Sequence, residues 1–374
     1  MIKEYTSLGL MSGTSGDGVD ASIIRSDGES KYNVILDKFY EYEDKIYENI
    51  HYLKDKICNQ KDLIKHSMEL LELERNITLF HAKIINEINE NDKIDLVGFH
   101  GQTIYHNSEE KISKQIGDAK LLCQLTKKNI VYNFRQNDLL NGGEGAPLTP
   151  IFHHLLINQN HFDTPICILN IGGISNITII NGLNKKNFIK SKDIGPGNCL
   201  IDNWVRKNST KKFDKDGNLA SIGVCNEIIF EQAQELFSQY LNGKKTTFDV
   251  NDFDVSFVRG LSLEDGAATL TEITAKSISS SLNNLTSSIL KKNLKILICG
   301  GGRLNSFLIK KIKNDLSDKI KIELIDDYKI NGDFIESQAF AFLAIRSLLN
   351  LPISFPNTTG CNSPTTGGLI VKFK

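Results

Sequence analysis

Ile166-Cys167-Ile168-Leu169-Asn170-Ile171-Gly172-Gly173-Ile174-Ser175-Asn176-Ile177-Thr178-Ile179-Ile180 reads as a strand, a turn of small residues and a returning strand. The apolar, largely β-branched runs on either side of Gly172-Gly173 carry that reading. The chain opens on the same pattern. Tyr5–Met11 reads as a strand, Ser12-Gly13-Thr14-Ser15-Gly16-Asp17-Gly18 as a turn, Val19–Arg25 as the return and Tyr32–Tyr40 as a third strand. The two hairpins lie about 160 residues apart, a weak internal duplication in which each starts one half of the protein. Such turns let backbone N–H groups and hydroxyls approach an anion closely. One Gly/Ser hairpin is usually just a turn, so the repetition is what counts.

The chain has 374 residues, which favours two domains around a cleft over a single core. It is 40% apolar and 24% charged with a net charge of −1, a balance that gives no support for a nucleic-acid or membrane partner. No apolar run approaches the roughly 20 residues of a membrane span, and no signal peptide is evident at Met1-Ile2-Lys3. The seven cysteines are dispersed with no Cys-x-x-Cys pair, which points to reduced thiols and a cytoplasmic location.

Between the hairpins, Tyr42–Ile57 and Leu63–Ile88 have helical periodicity. Ile94–Phe99 reads as a short strand that delivers His100-Gly101-Gln102-Thr103 to its C-terminal edge, where ligands lie in open α/β sheets. Ile130–Asn133 is another strand, ending in Phe134-Arg135. The glycine stretch from Asn141 to Ala146 reads as a hinge-like crossing between domains. Further on, Asp193-Ile194-Gly195-Pro196-Gly197-Asn198 sets a carboxylate before a turn so rich in Gly and Pro that no regular element is expected there, with a helix starting at Cys199. By itself that aspartate is best read as a helix cap.

Leu263–Leu290 reads as a long helix. The strand Leu294–Cys299 runs into Gly300-Gly301-Gly302-Arg303-Leu304-Asn305 and then a helix from Ser306, which suits a nucleotide on backbone at a helix N-terminus. Gly-x-Gly-x-x-Gly is absent, because Asn305 stands at its third glycine. Glu336–Leu349 reads as a narrow helix carrying Ala339, Ala341 and Ala344, and Leu369–Phe373 as a last strand. Two further glimpses fail. An EF-hand over Phe213–Asn218 would put Lys212 and Gly223 where carboxylates belong, and a P-loop over Asn242–Thr246 would have Ser238 as its first glycine.

Together, two glycine hairpins, a third glycine turn opening a helix and an aspartate in the cleft form a phosphoryl-transfer pattern, a chemistry that asks mostly for positioning and charge neutralisation. A magnesium ion held by one or two carboxylates and water is expected with it.

The chain resembles the anhydro-N-acetylmuramic acid kinases. The matching stretches are GLMSGTSGDGVDA (Gly9–Ala21), HGQT (His100–Thr103), Phe134-Arg135 with Asp138, GGEGAPLTP (Gly142–Pro150), NIGGISN (Asn170–Asn176), Asp193 with GPGN, ATLTEITA (Ala268–Ala275), CGGGRLN (Cys299–Asn305) and FPNTTG (Phe355–Gly360). They occur in order over essentially the whole chain. The resemblance implies the two-domain actin-like ATPase (ribonuclease H-like) α/β fold with a central cleft. The expected limits are 1–140, completed by 335–374, for the first domain and 141–334 for the second. It implies an ATP-dependent kinase that opens the 1,6-anhydro bridge of 1,6-anhydro-N-acetylmuramic acid with water and phosphorylates the 6-hydroxyl, in peptidoglycan turnover. It also leads to the expectation of a homodimer.

By the same resemblance Asp193 is the base, and Gly13, Thr14, Ser15, Gly16, Asp17, Gly18, Val19 and Asp20 match the ATP segment. The hairpin and turn residues Gly172, Gly173, Asn176, Gly195, Gly197, Asn198, Gly300, Gly301, Gly302 and Asn305 are the further nucleotide candidates. By position, Asp17 is the magnesium candidate and Glu336 a weaker one. His100, Gln102, Arg135 and Glu336 are sugar candidates, with Arg135 suited to pairing the lactyl carboxylate bidentately. A carboxylate base on the face opposite the departing oxygen suits water attack at an anomeric carbon, as in inverting glycosidases.

Four places depart from the family pattern: Gly16 for Leu, Asn133 for Asp, Glu144 for Gln, and Lys244–Asp254, which lacks a Pro-Lys-Ser-Thr-Gly-Arg run. They bear on the exact sugar, so a levoglucosan-type kinase is one alternative. A non-catalytic ATP-binding module of the same fold is another.

Overall fold

The computed structural model describes residues 3–89, 93–182, 189–241, 248, 250–288 and 293–373. Twelve strands lie among them: β1 (Tyr5–Ser12), β2 (Gly18–Ser26), β3 (Tyr32–Glu41), β4 (Leu96–Asn107), β5 (Ile112–Ile116), β6 (Asn129–Tyr132), β7 (Ile166–Ile171), β8 (Ile174–Ile180), β9 (Ile189–Pro196), β10 (Leu294–Cys299), β11 (Ile320–Leu324) and β12 (Leu369–Val371). By packing the chain divides into two compact units, Met1–Phe162 with Leu183–Lys190 and Phe334–Lys374, and Asp163–Gly182 with Ser191–Asp333.

The first unit holds a seven-stranded sheet in the order β12-β6-β4-β1-β2-β3, with β5 on β4. β1 is antiparallel to β2 and parallel to β4, which is parallel to β6. The second unit holds a five-stranded sheet in the order β11-β10-β7-β8-β9, with β7 antiparallel to β8 and parallel to β10. Each unit therefore starts with an antiparallel hairpin and adds parallel strands beside its first strand. That shared order is the ribonuclease H-like arrangement expected of this chain, made twice.

Close packing fixes the sheet residues. The helix Ile335–Leu348 is buried nearly all round. It lies so near β1 and β4 that a Cβ at Gly9 would come within 1.9 Å of the Ser337 carbonyl oxygen, and one at Gly98 within 2.4 Å of that of Phe340. The other face of the sheet is covered by Asp44–Lys56 and Ser67–Asn89, which bury Ile46, Ile50, Leu53, Leu73, Ile77 and Ile85 on Leu8, Leu10, Val97 and Phe99. In the second unit Leu263–Ser288 buries Ile278 and Leu282 on Cys167, Leu169 and Ile296.

Three expectations are corrected. Asp193 is on a regular element, since β9 runs through it to Pro196. Proline is tolerated there because β9 is an end strand of its sheet, with no ladder bond required of it on the outer side. His100-Gly101-Gln102-Thr103 lies inside β4, because pairing with β5 carries that strand on to Asn107. The glycine stretch after Asn141, expected at the 140/141 crossing, packs within the first unit up to Phe162. Its anchor is the buried Asp138, which accepts from the Gly145 amide and the Thr359 hydroxyl, both at 2.7 Å. The stretch Asn242–Thr246, already rejected as a P-loop, lies outside the described residues, and Lys244–Asp254 is described only at 248 and from 250.

Candidate active site

In the first unit, the β1–β2 turn is closed at its neck. The Ser12 hydroxyl donates to the Gly18 carbonyl at 2.9 Å and lies 2.6 Å from the Tyr42 hydroxyl. Within the turn Gly16, at φ +63°, donates its amide to the Gly13 carbonyl at 3.2 Å. Ser15 donates to Asp17 Oδ1 at 2.6 Å and Lys54 to the Thr14 carbonyl at 2.7 Å. Thr14 and Ser15 are exposed and Asp17 is half-buried, so this turn presents hydroxyls and one carboxylate outward. Gly18, Val19 and Asp20 belong to β2; Val19 is fully buried, so only its backbone is left to meet a ligand.

Gln102 is 0% exposed and donates Nε2 to the Gly13 carbonyl at 3.0 Å, tying β4 to this turn. Its Oε1 has no partner among the described residues.

His100, Arg135 and Glu336 come together. Arg135 donates from Nε and Nη2 to His100 Nε2, at 3.2 and 2.9 Å. A guanidinium only donates, so Nε2 is the acceptor and Nδ1 carries the proton, which it gives to the Gly101 carbonyl at 2.7 Å. Burial, then the charge of Arg135, holds the His100 pKa well below its ordinary value, and the ring stays neutral. Phe340 lies under both, 4.5 Å from the His100 ring and 5.9 Å from Arg135 Cζ. Arg135 Nη1 also donates to the Gly145 carbonyl at 2.9 Å. The Nε/Nη2 edge is thus engaged by His100, which argues against the expected bidentate pairing of a lactyl carboxylate. Burial raises the pKa of Glu336 while Arg135 works against the rise. Beside this group, at the middle of β4 and the carboxyl end of β6, a cavity of about 340 Å³ is lined by His100, Lys114, Gln115, Asp118, Asn133 and Gln136 among others.

In the second unit, the β7–β8 turn is braced from below. Gly197 and Cys199 donate their amides to the Gly173 carbonyl at 2.9 and 3.2 Å, and Asn198 to that of Gly172 at 2.8 Å. A Cβ at Gly197 would fall 2.2 Å from the Gly172 carbonyl oxygen, so only glycine permits this approach. Gly195, at φ +135°, turns the chain into it. Asn176 is half-buried on β8, and its Oδ1 has no partner among the described residues.

Asp193 precedes this brace, half-buried, and its Oδ2 accepts the Phe248 amide at 2.8 Å. The third turn follows β10. A Cβ at Gly300 (φ +79°) would lie 2.2 Å from Asn170 Oδ1, and one at Gly302 2.2 Å from Ile171 Cγ2, whereas Gly301 faces open space. Asn305 spends its side chain as a cap, accepting from the Leu308 amide at 2.9 Å at the start of Ser306–Asn314. No group of three His, Cys, Asp or Glu side chains among the described residues is arranged to hold a metal.

Two structural groups escape sequence reasoning. Arg303, 5% exposed, donates to Asp326 from Nε at 2.7 Å and Nη2 at 2.9 Å, pairs with Asp333, and reaches the Gly300 carbonyl at 3.2 Å, so the triple-glycine turn is held by a buried ion network. Arg303 lies within the quoted motif, but nothing in the spacing to Asp326 and Asp333 announces them. Phe248 is the other, set in a stretch without any motif.

The profile of the anhydro-N-acetylmuramic acid kinases matches residues 5–372. An anhydro-N-acetylmuramic acid kinase of Pelagibacter ubique is 57% identical over all of both chains, and one of Zymomonas mobilis is 37% identical over 97% of this chain and 98% of its own. The chain belongs to the anhydro-N-acetylmuramic acid kinase family. Among solved structures, a ROK family glucokinase from Streptomyces griseus with glucose and AMPPNP aligns over 90% of this chain and 98% of its own, at 10% identity and a TM-score of 0.41.

Two departures from the family pattern now have physical reasons. A Cβ at Gly16 would come 2.9 Å from Ile50 Cγ2, and the residue is left-handed, so Ile50 fills the space a leucine would need. Asn133 sits at φ +55°, a conformation Asn and Asp both tolerate. Glu144 donates its amide to the Thr359 carbonyl at 2.8 Å, while its Oε2 is buried without a partner among the described residues. Nothing in the structure explains glutamate there.

Proposed function

We propose that this chain is an ATP-dependent kinase of 1,6-anhydro-N-acetylmuramic acid, acting in cell-wall recycling and yielding N-acetylmuramic acid 6-phosphate and ADP. The observation that carries the reading is Asp193, the residue at the family's base position, with its carboxylate held by the Phe248 amide beside the braced Gly172-Gly173 turn. Asp193 takes a proton from water as the water oxygen bonds to the anomeric carbon. The bond from that carbon to O6 breaks, and O6 takes the γ-phosphoryl group as its bond to ADP breaks. No protein acid is needed, since phosphorus captures the departing oxygen.

Each unit contributes by its own means. In the first, residues Gly13 to Asp20 offer amides and hydroxyls to phosphate, and Asp17 would hold magnesium through water. That ion would supply charge neutralisation at the phosphates. Glu336, kept from ionising easily by burial, fits a sugar contact better than a metal ligand. The cavity lined by His100, Asn133 and Gln136 takes the sugar, and Arg135 donates to His100 beside it. In the second unit, Gly172, Gly173, Gly195, Gly197 and Asn198 shape a phosphate turn, and Gly300 to Gly302 a nucleoside turn. A homodimer in the cytoplasm completes the proposal, and sedimentation of the purified protein tests the dimer.

Asp193→Asn tests the reading. It should retain ATP binding and lose turnover by several orders of magnitude, since no base is left for water attack. Near-normal turnover would exclude the mechanism.

A further inference from the structure

A carboxylate that takes a proton from water must keep one orientation while the anomeric carbon changes its bonding. Asp193 follows the exposed Lys192 near the end of β9, which stops at Pro196. One restraint on it comes from 55 residues further along, where the Phe248 amide donates to Oδ2 at 2.8 Å.

That amide is anchored by its own side chain. Phe248 is 8% exposed and its ring lies 5.7 Å from that of Phe253. Phe253 lies 5.7 Å from Phe237 on the helix Glu227–Leu241, and Phe237 6.1 Å from Phe257. The four rings join a core that includes Trp204, Val258 and Leu270. Moving the amide by an ångström would mean moving a packed aromatic cluster.

We infer that Phe248 is a positioning residue for Asp193: its buried ring fixes the main chain so that its amide holds the carboxylate in the orientation that accepts the proton. The inference rests on Asp193 being the base. It gives a role to part of Lys244–Asp254, the stretch where this chain leaves the family's usual run. Phe248 touches neither substrate nor the reacting atoms in this account, so its effect should fall on kcat.

The test is steady-state kinetics on Phe248→Ala and Phe248→Leu with ATP, magnesium and the anhydro-sugar, alongside the stoichiometry of ATP binding. Phe248→Ala should lose roughly tenfold or more in kcat, as expected for a misplaced catalytic group. KM for both substrates should stay within about twofold and ATP-binding stoichiometry near that of the parent, because only orientation is lost. Phe248→Leu, which nearly conserves volume, should recover most of that loss and stay about threefold below the parent. If the alanine variant does not fold, the leucine variant decides alone. Parental kcat in either folded variant overturns the inference, and so does a kcat loss matched by lost ATP binding, which would assign the ring to folding only. Full activity in Asp193→Asn would instead remove the base assignment, whatever Phe248 does.

Discussion

Nε and Nη2 of Arg135 both donate to the single acceptor Nε2 of His100, at 3.2 and 2.9 Å. The guanidinium edge that could grip a carboxylate is therefore occupied within the protein, and the proposed role of Arg135 toward the sugar is to hold His100, which lines the cavity. Arg135→Ala should raise KM for the sugar at least tenfold, leaving a buried imidazole acceptor without its donor. The loss should be the same for 1,6-anhydro-N-acetylmuramic acid and for 1,6-anhydro-N-acetylglucosamine, which lacks the lactyl group. A loss confined to the lactyl sugar, read as a changed ratio of kcat/KM, would restore carboxylate pairing by Arg135.

Gly16 makes a second case. Restoring the family's leucine should harm this chain, because φ +63° strains any β-carbon and Ile50 Cγ2 stands 2.9 Å from where it would be. Left-handed backbone costs about 1–2 kcal/mol for a residue with a side chain. Gly16→Leu should raise KM for ATP by about tenfold through the distorted phosphate turn, a strain of that size being worth that factor. Gly16→Leu with Ile50→Ala should recover part of it. An unchanged KM for ATP in the single variant would contradict the packing account.

Three buried histidines set the acid side of stability. Burial lowers the pKa of His81 to about 4 and of His153 to about 3, and burial with Arg135 lowers that of His100 well below 6.5. As pH falls below 6.5 the unfolded chain binds protons that the folded chain does not. Stability is complete above 6.5 and is lost progressively toward the folded values, by up to about 1.4 kcal/mol per pH unit per histidine. Asp37 and Glu336, with raised pKa values, bind protons more readily when folded and act in the opposite direction above the ordinary carboxylate range, two groups against three. The thermal midpoint should therefore fall between pH 7 and pH 5. A flat or rising midpoint over that interval would contradict the burial of these rings.

Much of the fold was legible where composition and period agree. The apolar runs at Leu8, Ile168 and Ile296 cannot be exposed, and the small residues Ala339, Ala341 and Ala344 mark a helix that must lie close to a sheet. What stayed hidden depends on neighbours distant in sequence. Ile94–Phe99 reads as a strand that ends before His100, and only pairing with β5 carries it on to Asn107. Pro196 reads as a break, and only the end position of β9 makes it acceptable. The site was legible as motifs, and its braces were not. Asp138 under Gly145, Asp326 and Asp333 around Arg303, and Phe248 on Asp193 are partners that no local pattern connects. The glycines were visible because close backbone approach leaves a composition; the contacts that hold them leave none.

The central claim is that water opens the anhydro bridge while O6 receives the phosphoryl group. The most direct measurement is to incubate the protein with ATP, magnesium and 1,6-anhydro-N-acetylmuramic acid in ¹⁸O-labelled water, with levoglucosan in parallel, and to locate label and phosphate in the product. The account predicts one ¹⁸O at the anomeric carbon, phosphate on O6 and no label in the transferred phosphate, for the amino sugar and not for levoglucosan. Phosphate on a sugar that keeps its bridge, or product without label at the anomeric carbon, would contradict it.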